Sequence, residues 1–161
     1  MRKSNGKENE TMEKNTLEKL FKLNHVPRWV IIDMTKRQSV AEHTFRTMAI
    51  YDFMAKRLGL DTPWYEILVH DIDEAETGDI PSSHKNGGEF KLSEQSTEKS
   101  LLQLADTVEA RIWLNRYGVI KHKVDRYLGN KIHILKQELR NEFPKIGCIV
   151  DEIYNAGINY D

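Results

Sequence analysis

Several features that would narrow the class of this protein are scarce in its sequence. Cysteine occurs once, at Cys148, which excludes an internal disulfide and is typical of a reducing compartment. No apolar run approaches the length of a membrane span, and the N-terminus lacks the apolar segment of a signal peptide. Lys and Arg total 24 against 25 Asp and Glu, so no overall charge favours nucleic acid or a membrane. We therefore expect a cytoplasmic protein that binds neither.

Strand-like alternation of useful length is also absent, and the chain holds only four prolines. Apolar residues recur instead at helical spacing. The length of 161 residues suits one domain with a substantial core, so we expect an all-α domain of about six helices over residues 15–161. Residues 1–14 are polar and have no apolar period, which predicts a disordered tail.

The most informative stretch begins as an apolar run and ends in a Thr-Gly-Asp turn. Pro63 and Gly78 are typical start and stop signals, so we predict one helix between them. On that helix Glu74 would share a face with the adjacent His70 and Asp71. Imidazole and carboxylate suit a divalent transition metal, and Glu74 is spaced to handle a proton. Two adjacent polar residues on a half-exposed helix are, however, also common without a function.

A second histidine follows a helix-start signal. Ser39 and Glu42 form a capping box, which predicts a helix from Val40 to about Leu58, before Gly59. His43 then falls in the first turn of this helix, on its apolar face. A lone histidine in such a place is usually a core residue, but a downstream His-Asp pair makes a ligand role the stronger interpretation.

Arg28 and Trp29 lie on a predicted loop or turn, because Pro27 forces an extended entry to them. Together they could supply a phosphate-binding guanidinium beside a base-stacking indole. The alternative is a surface cation beside a core anchor.

A further helix, from near Ser93 to Gly118, carries a carboxylate beside its apolar stripe. The stripe recurs at helical spacing and comprises Leu101, Leu102, Ala105, Val108, Ile112 and Trp113. Asp106 lies next to it, and a carboxylate there needs a partner, for which a metal ion is the natural candidate. Asp125 and Asp151 are rivals, although their neighbours are more polar.

Two less informative segments flank that helix. Gly87 and Gly88 mark a flexible loop that could close over a substrate. Residues 119–141 predict a helix broken or bent near Gly129, followed by a short helix from Ile146. Its basic residues are Lys121, His122, Lys123, Arg126, Lys131, Lys136 and Arg140. Such a face is usually solvated, and an oligomer contact or a weak nucleic-acid patch is the alternative.

These motifs together resemble those of the HD-domain phosphohydrolases, over roughly residues 16–118. Within that superfamily the chain looks most like the bacterial 5′-deoxynucleotidases and the related viral deoxynucleoside triphosphate triphosphohydrolases. The matching motifs are Pro27-Arg28-Trp29, Val40-Ala41-Glu42-His43, His70-Asp71, Glu74-x-x-Thr77-Gly78-Asp79-x-Pro81 and Leu104-Ala105-Asp106.

The resemblance implies an HD-type helical bundle that holds one Co²⁺, Mn²⁺ or Zn²⁺ ion. The ligands would be His43, His70, Asp71 and Asp106. Glu74 would then act in proton transfer. Arg28 and a loop lysine, Lys85, would contact phosphate, and Trp29 would bound the nucleoside. Asp79 would accept a hydrogen bond from the sugar or support that wall.

The resemblance favours removal of the 5′-phosphate from deoxyribonucleoside monophosphates by a cellular or virus-encoded enzyme, which we expect to be a homo-oligomer. The first alternative is a triphosphohydrolase that converts a deoxynucleoside triphosphate to nucleoside and triphosphate. The interval from Asp71 to Asp106 is short compared with that in the cellular nucleotidases, so insertions that cover the substrate or form the dimer there would be missing here. This compact segment favours the triphosphohydrolase. A remoter alternative is a nucleotide- or nucleic-acid-binding module without turnover, but such a module would need neither the four ligands nor Glu74.

Overall fold

The chain folds into helices joined by turns. The computed structural model describes residues 4–79, 96–120 and 122–160, and these residues contain no β-strand. In chain order the helices are α1 (Ser4–Lys22), a 3₁₀ helix (Leu23–His25), α2 (Val40–Leu58), α3 (Trp64–Val69), α4 (Glu74–Thr77), α5 (Thr97–Tyr117), α6 (His122–Leu139) and α7 (Ile146–Asn159). The all-α prediction is confirmed. None of the described helices combines the length and the apolar character of a membrane span.

Helix α5 lies at the centre and packs against α2, α6 and α7. Most of the predicted stripe is buried, whereas Leu102 is only partly buried. Leu104 and Leu114 are also fully buried, so α5 is apolar on more than one side, as expected of a central helix. A polar side chain that points inward from α5 is therefore enclosed by protein.

Both predicted ends of α2 are confirmed. Ser39 adopts an extended conformation, and its hydroxyl accepts a hydrogen bond from the backbone N–H of Glu42 over 3.1 Å. Gly59 takes the left-handed conformation at the other end, with φ of 72°, which a glycine adopts without steric cost. This frame places His43 in the first turn of α2, fully buried.

The prediction of one helix between Pro63 and Gly78 is wrong. Helix α3 ends at Val69, and α4 starts only at Glu74. His70 explains the break, because its Nδ1 lies 2.6 Å from the carbonyl oxygen of Ile67, which the N–H of Asp71 would bind in a continuous α-helix. Residues 70–73 instead form tight turns, in which Glu74 N donates to Asp71 O over 3.0 Å.

Three predictions about the remaining helices need correction. The structure places residues 4–14 in α1, whereas the sequence predicted a disordered tail. This segment is rich in Glu and Lys, which have good helix propensity that a composition rule ignores. Helix α6 runs through Gly129 without the predicted break. An added Cβ at Gly129 would lie 3.4 Å from the Arg111 guanidinium, an ordinary van der Waals distance, so the helix accommodates this residue without a bend. The final helix is also longer than predicted and reaches Asn159.

Candidate functional site

The structure brings together the four residues that the sequence suggested as metal ligands. His43 comes from α2, His70 and Asp71 from the turn after α3, and Asp106 from α5. His43 Nε2 lies 2.8 Å from Asp106 Oδ1 and 3.7 Å from Asp71 Oδ2. His70 Nε2 lies 3.1 Å from the same oxygen of Asp71. Potential ligand atoms of His43, His70 and Asp71 all lie within 4.8 Å of one another.

The rival carboxylates have other partners. Asp125 accepts a hydrogen bond from Arg111 Nε over 2.9 Å. Asp151 pairs with Lys136 over 3.3 Å on the surface. Asp106 is thus the carboxylate of the three that contacts the histidine cluster.

Each histidine ring is oriented by the nitrogen that faces away from the cluster. His70 Nδ1 contacts the carbonyl oxygen of Ile67 over 2.6 Å. His43 Nδ1 contacts Glu109 Oε2 over 2.5 Å. Because both partners can only accept, both Nδ1 atoms are donors. The two Nε2 atoms are thereby directed at the carboxylates of the cluster.

The cluster concentrates negative charge around His43. Burial and the Arg28 guanidinium lower the pKa of His43, but contacts with Glu109 and Asp106 outweigh them and raise it to about 9. Burial raises the pKa of Asp106, yet the hydrogen bond and charge of His43 shift it well below its usual range. This environment favours the charged form of His43, and a bound metal ion would take the place of the proton on Nε2, which faces Asp106. Two imidazole nitrogens with two carboxylates form a donor set that fits Zn²⁺, Co²⁺ or Mn²⁺.

Glu109 is a functional candidate that the sequence reasoning missed. It is completely buried on α5, one turn after Asp106. Its carboxylate contacts His43 Nδ1 and accepts a hydrogen bond from Arg46 Nε over 2.6 Å. The available signal was a charged residue between the apolar Val108 and Ala110, a placement that requires a buried partner.

Arg28 lies beside the cluster with donors still available. Its Nη1 lies 3.6 Å from Glu109 Oε2, and its Nε lies 3.9 Å from Asp79 Oδ1. Both nitrogens are buried and make no hydrogen bond within the described part of the chain. A buried guanidinium with unused donors is suited to an anionic ligand such as phosphate.

Trp29 lies on the predicted turn, in an unusual backbone conformation. Its φ is 63°, in the left-handed region that a bulky residue rarely adopts. Its backbone N–H donates to Asp79 Oδ2 over 3.3 Å, and its indole Nε1 donates to Gln38 Oε1 over 3.1 Å. The Arg28 guanidinium lies 5.5 Å from the indole ring centre. The sequence suggested that Asp79 either binds the sugar or supports Trp29, the side chain expected to line the nucleoside site. The hydrogen bond to the backbone of Trp29 is the contact that the structure shows.

The other expected site residues are only partly accounted for. Glu74 is buried at the start of α4, directly after the turn that carries His70 and Asp71. Lys85 lies outside the described residues, as do the Gly87-Gly88 pair and Pro81.

Lys131 corrects the view that the basic face of α6 is simply solvated. It is 7% exposed, unlike Lys123 and Arg126 on the same helix, which are exposed. Burial raises the pKa of Asp106, whereas the charges of His43 and, more weakly, of Lys131 lower it. The positive charge of Lys131 therefore lowers the pKa of a carboxylate in the histidine cluster.

Comparison with known proteins relates this site to one family. The model of the HD domain family matches residues 5–117. A dATP triphosphohydrolase of cyanophage S-2L is 27% identical, and the match covers 78% of this chain and 81% of that protein. A solved structure has the same fold, with a TM-score of 0.68 and 21% identity over 88% of this chain and 95% of the other. It is the cyanophage S-2L HD phosphohydrolase (DatZ), bound to dA and one catalytic Zn²⁺ ion.

Proposed function

Because the chain belongs to the HD-domain family, we propose that it is a metal-dependent phosphohydrolase that converts deoxynucleoside triphosphates to nucleoside and triphosphate. The observation that carries the proposal is the convergence of His43, His70, Asp71 and Asp106 beside the buried guanidinium of Arg28. The sequence favoured a monophosphatase. Similarity to a relative named as a dATP triphosphohydrolase supports the alternative instead.

The four clustered side chains would hold one Zn²⁺, Co²⁺ or Mn²⁺ ion. When bound, such an ion polarises a phosphoryl group and a water molecule. The Nδ1 contacts of His43 and His70 keep their Nε2 atoms directed at the ion position, so little reorientation is required when the ion enters. This arrangement favours tight binding, because partner groups behind the ligands fix their orientation.

Arg28 binds the phosphoryl charge in this mechanism. Its Nε and Nη1 are buried without hydrogen bonds in the described part of the chain, so phosphate oxygens would satisfy donors that are otherwise costly to bury. A guanidinium also binds two oxygens at once, which orients the phosphoryl group for attack. Lys85 would add a second positive contact from the loop.

Glu74 handles the proton. It begins α4 next to the turn of His70 and Asp71 and is buried, so its carboxylate is shielded from bulk water. From this position it can take a proton from the attacking water or give one to the leaving sugar oxygen. A positioned acid or base typically contributes about 10²- to 10⁴-fold in rate.

Trp29 and Asp79 form the nucleoside side of the site. The indole offers a flat apolar face for a base or deoxyribose. The carboxylate of Asp79 accepts a hydrogen bond from the backbone N–H of Trp29 and lies near the guanidinium of Arg28. One carboxylate therefore supports both the nucleoside wall and the phosphate contact.

We also propose that the protein is a homo-oligomer. Large apolar side chains are exposed on three helices, among them Phe21 on α1, Phe45 on α2 and Tyr65 on α3, with 69%, 71% and 62% of their surface exposed. Exposed apolar side chains can form an interface where neighbouring helices bring them together, and identical subunits are the commonest partners. Light scattering during size exclusion tests this directly, and a monomer at all concentrations would contradict it.

Product analysis tests the catalytic proposal. The purified protein is incubated with Co²⁺ and either dATP or dAMP, and the products are separated by ion-exchange chromatography. We expect deoxyadenosine and intact triphosphate from dATP, and no product with the His70→Ala variant. Release of inorganic phosphate from dAMP alone would restore the 5′-deoxynucleotidase interpretation. Nucleotide binding without any turnover would favour a binding module.

A further inference from the structure

Buried side chains connect the Trp29 indole to the ring of His43. Trp29 Nε1 donates to Gln38 Oε1 over 3.1 Å. Gln38 Nε2 donates to Glu109 Oε1 over 2.9 Å. Glu109 Oε2 in turn lies 2.5 Å from His43 Nδ1. A continuous chain of hydrogen bonds thus links the nucleoside wall to a metal-site histidine, through two residues to which the proposed chemistry assigns no part.

The direction of each hydrogen bond follows from the groups themselves. The indole N–H can only donate, so the oxygen of Gln38 must face Trp29 and its amide nitrogen must face Glu109. The ionised carboxylate of Glu109 can only accept, so Nδ1 of His43 carries the hydrogen. Reversing the Gln38 amide would place its nitrogen against the indole N–H and its oxygen against a carboxylate. This chain of hydrogen bonds from Trp29 through Gln38 and Glu109 to His43, called the link below, therefore has one arrangement in which every donor meets an acceptor.

Water cannot easily replace the inner members of the link, whereas Trp29 at its outer end is only partly buried. Gln38 is 1% exposed, and both His43 and Glu109 are 0% exposed. Removing one side chain would leave buried polar partners without hydrogen bonds, which is costly away from solvent. Networks of this kind hold their members in fixed positions as long as each group is satisfied.

Both middle residues are anchored from outside the link. Arg46 Nε donates to Glu109 Oε1 over 2.6 Å, and Arg46 Nη1 donates to the Tyr160 hydroxyl over 2.9 Å. The backbone carbonyl oxygen of Gln38 accepts a hydrogen bond from the backbone N–H of Arg28 over 2.8 Å. Gln38 also directly precedes Ser39, which caps the helix that carries His43. These contacts hold the middle of the link together, so that a shift of the His43 ring is passed on to the indole instead of being absorbed by Gln38 and Glu109.

We propose that Gln38 and Glu109 are positioning residues that hold His43 ready for the metal ion and couple it to the conformation of Trp29. The inference rests on the proposed function only in taking the His43 cluster as the metal site and Trp29 as the nucleoside wall. Filling the metal site restrains His43, and the link passes that restraint to the indole. Metal binding thereby prepares the surface that receives the nucleoside.

Metal titration without any nucleotide tests the positioning role. We expect Gln38→Met, which removes the support behind Glu109, to bind Co²⁺ several-fold more weakly and to shift the visible absorption bands of bound Co²⁺, since the 10- to 100-fold effect is that of a direct partner of a ligating histidine, here Glu109. Gln137→Met is the matched control, because Gln137 is exposed on α6, and it should bind Co²⁺ like the wild type. Glu109→Gln should weaken binding further, because its amide cannot accept from both Gln38 and His43 in the same way.

Tryptophan fluorescence tests the coupling. Zn²⁺, which does not quench by itself, should change the emission of the wild type, and Trp29→Phe should abolish that change, which assigns it to Trp29. Gln38→Met, saturated with Zn²⁺, should also lose it. A merely structural role for Gln38 would lower the melting temperature but leave both the Co²⁺ affinity and the fluorescence response intact.

The outcomes separate this inference from the proposed function. If the wild type binds Co²⁺ no better than His70→Ala, the metal site itself fails, and the inference fails with it. If the wild type binds Co²⁺ and Gln38→Met matches it in affinity, spectrum and fluorescence, the inference alone is overturned. If Gln38→Met shows the expected losses but dATP is not cleaved, the inference stands and the catalytic proposal fails.

Discussion

Asp79 accepts a hydrogen bond from the backbone N–H of Trp29 over 3.3 Å, across a separation of 50 residues in the chain. Trp29 has a φ of 63°, the one positive value among the described residues other than glycine. A side chain in this region costs on the order of 1–3 kcal/mol of strain. The carboxylate of Asp79, together with the Gln38 contact to the indole, offsets that strain and fixes the wall.

Replacing Asp79 by Ala should therefore loosen the wall without emptying the metal site. We expect KM for dATP to rise about tenfold or more, in keeping with the loss of a hydrogen bond to a charged group, while Co²⁺ affinity stays within about twofold. Steady-state kinetics and metal titration measure the two effects. Asp73→Ala is the control, because Asp73 is exposed in the same segment. A large loss of Co²⁺ affinity in Asp79→Ala would show that Asp79 supports the metal cluster instead.

The four side chains proposed as metal ligands could be predicted from the sequence because each lies near a strong local signal. The capping box at Ser39 places His43 in the first turn of a helix, and an apolar stripe surrounds Asp106. Helical periodicity predicted the inward-facing positions of these two residues. His70 and Asp71 lie in a turn instead, and their place in the set came from their adjacency and from the family resemblance. None of these signals could show that the side chains meet.

The support behind the cluster could not be predicted, because it depends on tertiary pairing. Gln38 and Glu109 are 71 residues apart, and neither carries a motif of its own. The break after Val69 was missed for a similar reason. It arises because the ring of His70 takes the Ile67 carbonyl, and the apolar period of the sequence is the same whether or not that contact forms.

Glu74 should matter for turnover and not for metal binding. We expect Glu74→Gln to bind Co²⁺ normally and to lose on the order of 10²-fold in kcat, since an amide cannot transfer the proton. Glu76→Gln is the control, because Glu76 is exposed and pairs with Lys19 over 2.9 Å. Single-turnover measurements with dATP would separate chemistry from product release. Near-normal turnover would remove Glu74 from the proton-transfer role.

Metal affinity should increase with pH. The pKa of His43 is raised to about 9 in the metal-free protein, so below that pH the incoming ion must displace its proton. We expect the apparent Co²⁺ affinity to rise by at least about tenfold per pH unit between about pH 7 and pH 9, because burial lowers the pKa of His70 as well but its contacts with Asp71 raise it overall. Calorimetric titration in buffers of different ionisation enthalpy would count the protons released. An affinity that is constant over this range would show that His43 is already neutral.

Lys131 should affect the metal ion and the triphosphate in opposite directions. Lys131 is buried. Burial raises the pKa of Asp106, and the contact with His43 lowers it. The positive charge of Lys131 adds a smaller lowering effect on the same pKa. Removing the charge makes the cluster more negative, which favours a divalent cation. The same change removes a positive charge near the place where a triphosphate would extend.

We therefore expect Lys131→Met to bind Co²⁺ several-fold more tightly, but to bind inorganic triphosphate, assayed as a competitive inhibitor of dATP hydrolysis, roughly tenfold more weakly. Lys131→Arg retains the charge and should change both values less. Arg126→Met is the matched control, since Arg126 is exposed on the same helix and should alter neither. If Lys131→Met weakened both ligands alike, the lysine would be maintaining the packing between α5 and α6, and the loss would follow from a distorted cluster. If it left triphosphate binding unchanged, the tail of the substrate would leave the site by a different side of the cluster.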